Sequence, residues 1–168
     1  MKESDKKIKQ ITQAAVIAAI YVILTFVANA LGLASGVIQV RISEALTILP
    51  YFTPAAIPGL FVGCVLANIL TGCLPLDVVF GSLATLLGAF WTYYLRKLNL
   101  PDSKARWLAP LPPIVANTLI VPFVLAFVYQ FEGSIAYFML TVGAGEVISC
   151  GVFGAILFGA FRKYDRIF

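Results

Sequence analysis

The sequence predicts an all-α polytopic membrane protein with six transmembrane helices and both termini on the cytoplasmic side. The first observation is composition: 61% of the 168 residues are hydrophobic and 12% are charged, whereas soluble domains average about a quarter charged residues. The second is spacing, because the only charged residues between Lys9 and Arg96 are Arg41, Glu44 and Asp77. The third is the clustering of the cations outside the apolar runs. Apolar runs of about 20 residues are typical of membrane-spanning helices.

Helix-start and turn signals divide the apolar sequence into six segments. Thr53-Pro54 separates the second from the third, as an N-cap followed by proline. Gly72 and Pro75 precede the fourth, "APLPP" opens the fifth and Pro122 predicts a kink within it. The predicted spans, within one membrane domain covering 1–168, are about 8–31, 43–52, 53–73, 74–95, 108–131 and 134–161.

The cations orient these spans. By the positive-inside rule, three clusters are predicted to be cytoplasmic. Four crossings separate the first cluster from the second and two separate the second from the third, so all three clusters lie on the same side. Arg41 is the one cation predicted outside. The clusters are Lys2, Lys6, Lys7 and Lys9 at the N-terminus, Arg96, Lys97, Lys104 and Arg106 in the middle, and Arg162, Lys163 and Arg166 at the C-terminus.

The first segment has two notable features. Its lysines, its apolar run and the "ANA" of residues 28–30 imitate a secretory signal, but the topology requires this helix as a span. Its cytoplasmic half also carries small residues at spacing four, which permit close helix contact either within the chain or with a partner. These residues are Ala14, Ala15, Ala18 and Ala19.

Several function classes are disfavoured by missing residues. The chain has no histidine, which removes Ser-His and Cys-His catalysis and HExxH zinc chemistry, so we expect no enzyme, no metal and no cofactor. It has no GxxxxGK[ST] loop to bind ATP. The three cysteines, odd in number and in or beside apolar segments, are predicted to be packing residues. No basic patch interleaved with aromatic residues indicates nucleic-acid binding.

Glu146 is the most informative polar residue. It follows Gly133 by thirteen residues, which at 1.5 Å per residue places it about 20 Å along the last helix and near mid-membrane. A carboxylate there is costly unless it is paired or faces a wet cavity, so a functional site is the default hypothesis. The alternative is a protonated glutamate that holds the bundle together.

Glu44 belongs to the stretch "VRISEALTILPYF", with Arg41 three residues earlier and Tyr51 further along. Glu44 could cap its helix, or it could face a ligand with Arg41 as its partner. Asp77 could likewise be a helix-capping acid. Asn68 and Asn117 could be interhelical hydrogen-bonding groups or ligand contacts.

Together these residues predict a polar pocket. Arg41, Glu44, Asn68 and Asp77 all fall at the predicted outer ends of their spans, with Glu146 below them. Three acids and one arginine suit a ligand that carries positive charge and several hydrogen-bond donors. Tyr51 is a candidate for the aromatic wall that such a pocket needs.

The segment "QVRISEALTILPYFTPAAIPGLFVGCVLANIL", residues 39–70, resembles the queuosine-precursor transporter (QueT) family. Members of that family are substrate-binding S components of energy-coupling factor (ECF) transporters. The resemblance implies six helices and an outward pocket closed by the loops after the first, third and fifth helices. It also implies docking onto a transmembrane T component driven by two ATPase subunits, with Ala14, Ala15, Ala18 and Ala19 forming the docking surface.

The ligand implied by the resemblance is a 7-deazaguanine, preQ1, which has an aminomethyl cation. Glu44 and Glu146 are the predicted carboxylate contacts. Asn68 and Asn117 are predicted to meet the carbonyl and ring nitrogens, Tyr51 to stack on the base, and Arg41 to orient Glu44 or contact the carbonyl. The alternatives are an S component for another vitamin, a self-contained ion-coupled carrier, a membrane enzyme and a structural anchor.

Overall fold

The computed structural model describes residues 3–33 and 39–163, and it contains only helices and their connections in those ranges. Lys2 and Arg166, members of the two terminal cation clusters, lie outside the described residues. The seven α-helices are α1 Glu3–Ala30, α2 Ala56–Leu70, α3 Pro75–Arg96, α4 Asp102–Leu108, α5 Leu111–Phe127, α6 Ile135–Glu146 and α7 Gly154–Lys163. A 3₁₀ helix covers Ile42–Tyr51, and a π-helical segment covers Val147–Phe153.

The helix α1 begins five residues before the predicted span and ends one residue before its predicted end. Gly32, with φ of +71°, reverses the chain after α1, and the Leu33 amide donates to the Ala28 carbonyl at 2.9 Å. This is the arrangement expected where glycine terminates a helix, because only glycine adopts a positive φ without cost.

The second predicted span is a 3₁₀ helix of ten residues rather than an α-helix. Runs of this kind longer than three or four residues are uncommon. At about 2.0 Å per residue the segment is about 20 Å long. Every residue from Ser43 to Tyr51 is buried, so its conformation is determined by the helices around it. Pro50, which has no amide hydrogen, lies near its C-terminal end.

Small residues bring the long helices close together. Gly59 and Gly63 of α2 face Ala14 and Ala18 of α1, where an added Cβ at Gly59 would lie 2.8 Å from the Ala14 carbonyl oxygen. Gly88 of α3 faces Pro113 of α5 in the same way, with its added Cβ at 2.7 Å from the proline Cα. These contacts hold α1 against α2 and α3 against α5.

The predicted N-cap at Thr53 precedes α2 by three residues instead of starting it.

The fifth and sixth predicted spans are each interrupted. The chain turns at residues 109–110 between α4 and α5, whereas α5 continues as one helix through Pro122. The last span consists of α6, the π-helical segment and α7 in succession, with Glu146 as the final residue of α6. A π-helical turn widens the helix locally, and such turns often lie at functional sites.

Four helical stretches, two of them interrupted as described above, are long and apolar enough to cross a bilayer, with α2 as a shorter apolar helix. The chain is therefore a multi-pass membrane protein. The count of six crossings and the cytoplasmic termini stay predictions. The four stretches are Glu3–Ala30, Pro75–Arg96, Asp102–Phe127 and Ile135–Lys163.

Candidate functional site

A polar cavity of about 200 Å³ lies at the end of the bundle opposite the connection between α3 and α4. Three connections contribute to its lining: the segment before the 3₁₀ helix, the turn between α2 and α3, and the chain after α5. We call it the outer cavity. Its lining residues are Thr25, Ala28, Asn29, Gln39, Arg41, Asn68, Thr71, Cys73, Asp77, Val121, Leu125, Tyr129 and Phe131.

Asp77 is the carboxylate of the outer cavity. It lies in the first turn of α3, and only 5% of its surface is exposed. The Tyr129 hydroxyl donates to its Oδ2 at 2.8 Å. Burial, together with this hydrogen bond to Asp77, raises the pKa of Tyr129 above its usual value, so the phenol keeps its proton. Tyr129 thereby fixes one oxygen of Asp77, while Oδ1 accepts no hydrogen bond from the residues that the structure describes.

Arg41 and Asn68 face the same cavity from two other elements. The half-buried Arg41 precedes the 3₁₀ helix, and its guanidinium is within electrostatic range of both Asp77 and Glu44. Asn68 of α2 is 2% exposed. Gly81 lies between Asn68 and Asp77, and an added Cβ there would be 3.4 Å from both side chains. The cavity thus combines an amide, a guanidinium and a carboxylate.

An apolar and aromatic wall completes the outer cavity. The rings of Tyr129 and Phe131 stack with their centroids 5.5 Å apart, and Val121 and Leu125 of α5 lie beside them. Pockets for small organic ligands typically combine such a wall with a few directed polar groups.

A second polar group, which we call the buried cluster, contains Glu44, Glu146, Cys150 and Tyr21. Glu44 and Glu146 are 1% and 8% exposed. One ligand atom from each of Glu44, Glu146 and Cys150 lies within 4.8 Å of the others. The Tyr21 hydroxyl donates to Glu44 Oε1, and the Cys150 thiol donates to Glu146 Oε2 at 3.1 Å. The same spacing would suit a metal ion only if Cys150 lost the proton that it donates here.

Glu44 is incompletely satisfied. Its Oε2 is buried and has no hydrogen bond of good geometry among the described residues, although the Asn117 side chain of α5 approaches both carboxylates. Leaving a buried oxygen without a donor costs about 1–3 kcal/mol, and more if the group is charged. The position therefore favours an additional proton or cation.

The outer cavity and the buried cluster are joined where the 3₁₀ helix meets the last span. The Arg41 amide donates to Ser149 Oγ at 3.1 Å, and Cys150 Sγ lies 3.5 Å from the Glu44 carbonyl oxygen. Gly145 lies so close to the Gln39 carbonyl oxygen that an added Cβ would clash with it. These contacts between the 3₁₀ helix and the last span therefore keep Arg41 at the outer cavity and Glu44 in the buried cluster.

The predicted site residues separate into three places. Arg41, Asn68 and Asp77 meet in the outer cavity. Glu44 and Glu146 belong to the buried cluster, and Asn117 approaches both of their carboxylates.

Tyr51 is brought to neither place. Its ring packs on Phe52 and Phe158, and it lines a different cavity with Arg96 and Arg162. The 3₁₀ helix carries Tyr51 about 20 Å away from Arg41 along its axis.

Sequence reasoning missed three residues of these groups. Tyr129 and Tyr21 were not singled out, and Cys150 was predicted only as a packing residue. Tyr21 had an available signal, because it is a hydroxyl in the middle of an apolar helix. The position of Cys150, four residues after Glu146 and so on the same helix face, was the signal for the thiol.

The four alanines of α1 do not share one environment. Ala18 is buried and Ala14 is half-buried, both facing glycines of α2, whereas Ala15 and Ala19 are exposed. An apolar groove runs between α1 and α2, lined among others by Ala15, Pro58 and Val62. Intrachain packing therefore accounts for Ala14 and Ala18 but not for Ala15 and Ala19.

Comparison with known proteins gives two matches. The family model described as QueT transporter matches residues 11–163. The "Queuosine precursor transporter QueT" of Lactococcus lactis subsp. cremoris (strain MG1363) is 37% identical over 87 residues, which cover 52% of this chain and 50% of that protein. The match thus spans about half the length of that relative. No solved structure matches significantly.

Proposed function

Because the chain belongs to the QueT transporter family, we propose that it is the membrane-embedded, substrate-binding S component of an ATP-driven ECF importer. It binds a 7-deazaguanine queuosine precursor, preQ1, from outside. The observation that carries this proposal is the outer cavity, where the buried Asp77 carboxylate faces Arg41 and Asn68.

The cavity has the hydrogen-bonding groups that a guanine-like edge requires. That edge presents a ring N–H and an exocyclic amine, a pair of donors that one carboxylate can accept. Asp77 is the carboxylate proposed for this role, and Tyr129 orients it by donating to one lone pair of Oδ2, which leaves that oxygen a second lone pair for the ligand. The neighbouring carbonyl of the ligand is an acceptor, which matches the guanidinium of Arg41 or the amide of Asn68.

Charge supports a cationic ligand. The outer cavity and the buried cluster together contain the acids Asp77, Glu44 and Glu146 but only one cation, Arg41. The aminomethyl group of preQ1 adds one positive charge. In this proposal Glu44 and Glu146 attract that cation from below while Asp77 orients the base, and Asn117 holds the two glutamates in place.

The transport role follows from the same architecture. The proposed crossings are α1, the 3₁₀ helix, α2, α3, α5, and α6 through α7, with both termini cytoplasmic. Ala15 and Ala19 are the exposed small residues of α1 and are proposed to contact the T component, which two ATPase subunits drive. The chain is not proposed to be an enzyme.

One observation favours a second candidate. Two glutamates buried together are typical of ion-coupled carriers, in which intramembrane acids bind the coupling ion. A self-contained carrier would transport substrate without the T component or ATP. An S component for another vitamin would retain the architecture but prefer a different ligand.

The test of substrate identity is calorimetric titration of the detergent-purified chain with preQ1, with guanine, riboflavin and thiamine as controls. We expect saturable binding of preQ1, at least about tenfold tighter than guanine, which is ~1.4 kcal/mol. Tighter binding of riboflavin or thiamine would contradict the substrate assignment and leave the S-component architecture in place.

A further inference from the structure

The buried cluster contains two carboxylates that approach each other in a dry interior. Glu44 comes from the 3₁₀ helix and Glu146 from the end of α6, with carboxylate oxygens within 4.8 Å. Two carboxylates this close cannot both be ionised without a compensating charge. In a bilayer the cost increases, because uncompensated charge is expelled from the hydrocarbon region.

The neighbours supply one positive charge and no second one. Arg41 is the only cation within electrostatic range of both glutamates in the described parts of the chain, and it also faces Asp77. The other groups that face the pair carry protons of their own or are neutral amides. They are Tyr21 of α1, Cys64 of α2, Asn117 of α5 and Cys150 of the π-helical segment.

We propose that Glu44 and Glu146 hold one proton between them in the ligand-free chain, and that a cation bound in the outer cavity displaces this proton to the outside solution. The proposal rests on the proposed function, because the displacing cation is the ammonium group of the substrate. One positive charge enters and one proton leaves, so the net charge of the interior does not change.

The geometry provides a place for the proton. Glu44 Oε2 is the buried oxygen without a hydrogen-bond donor among the described residues, whereas Oε1 already accepts from Tyr21. Glu146 Oε2 likewise accepts from the Cys150 thiol. A proton on Glu44 Oε2 removes one of the two negative charges and turns the unpartnered acceptor into a hydrogen-bond donor.

Arg41 connects the proton site to the ligand site. Its guanidinium acts electrostatically on Asp77 in the outer cavity and on Glu44 in the buried cluster. A cation bound in the outer cavity on the side of the buried cluster makes the potential at the glutamates more positive, and in a low-dielectric interior this effect extends across several ångströms. Loss of the shared proton restores the balance. A neutral ligand of the same shape exerts no such effect.

The first experiment measures the proton without any ligand. Infrared spectroscopy of the ligand-free chain at neutral pH should show a protonated-carboxyl band that Glu146→Gln and Glu44→Gln each abolish, because the remaining glutamate then pairs with Arg41. Asp102→Asn, on the exposed cytoplasmic side, is the control and should leave the band unchanged. The absence of a protonated-carboxyl band in the wild type would overturn the proposal, as would a stoichiometric bound metal in elemental analysis.

The second experiment measures displacement. Titration with preQ1 in two buffers of different ionisation enthalpy should show release of about one proton per ligand, and the neutral nitrile analogue should release none. Binding of preQ1 without proton release overturns this inference and leaves the proposed function standing. No binding of preQ1 overturns both. This titration compares the two ligands on the wild-type chain, so it tests the proposal even if a variant fails to fold.

Discussion

At the scale of single residues, Asp77 is the group proposed to recognise the guanine-like edge. Asp77→Asn should weaken preQ1 binding at least about tenfold, ~1.4 kcal/mol, because an amide cannot accept two hydrogen bonds with both of its terminal atoms. Asp102→Asn, in the exposed Asp102–Arg162 ion pair, is the matched control and should bind normally. Unchanged calorimetric binding by Asp77→Asn would remove this carboxylate from the site.

Tyr129 is predicted to act on the ligand through Asp77 and by stacking. Tyr129→Phe keeps the ring beside Phe131 but removes the donor to Asp77 Oδ2. We expect binding to weaken about two- to tenfold, the effect of losing a hydrogen bond worth about 0.5–1.5 kcal/mol. Tyr129→Leu, which also removes the ring, should lose more. Equal losses for both substitutions would show that the ring makes no contribution beyond the hydroxyl, and unchanged binding by Tyr129→Phe would show that the hydroxyl makes none.

Sequence alone identified most of the polar residues because charge is scarce in a membrane span. Asp77, Glu44 and Glu146 could be singled out for that reason. Their division into an outer and a deeper group could not be predicted, since it depends on how far the 3₁₀ helix carries each side chain into the bundle. Tyr51 shows the same limit, because the helix type decides which residues share a face, and the sequence does not reveal that type.

At the scale of elements, α3 and α5 are held together by a glycine. Gly88→Ala should destabilise the chain by about 1–3 kcal/mol, a typical cost of overpacking, because its Cβ would lie 2.7 Å from Pro113 Cα. Gly151→Ala is the control, since its nearest neighbour would be 3.7 Å away, and it should be neutral or slightly stabilising. Thermal unfolding in detergent measures both. Equal midpoints for the two variants would contradict the close α3–α5 contact.

The irregular helices were beyond sequence reasoning. The apolar composition of Ile42–Tyr51 and Val147–Phe153 indicates membrane-embedded helices, but 3₁₀, α and π helices differ only in which carbonyl each amide reaches. That choice is made here by contacts distant in sequence, such as the Arg41 amide with Ser149 Oγ and Gly145 beside Gln39. The start of α4 and the break before α5 are likewise determined by local turns rather than by hydrophobicity.

At the scale of the whole molecule, the exposed alanines of α1 are predicted to be the contact with the T component. Ala15→Leu should prevent co-purification with the T component and the ATPases while leaving preQ1 binding unchanged, because Ala15 is remote from the outer cavity. Ala160→Leu, an exposed alanine on α7, is the matched control. Normal assembly of Ala15→Leu would exclude this face as the docking surface.

The central claim is that this chain captures the substrate and that its partners supply the energy. The most direct measurement is uptake of labelled preQ1 into proteoliposomes that contain the chain alone or the chain with the T component and both ATPases. The account predicts uptake only in the complete assembly with ATP, and its loss in Asp77→Asn. Sustained uptake by the chain alone, driven by an ion gradient and independent of ATP, would contradict the account and establish a self-contained carrier.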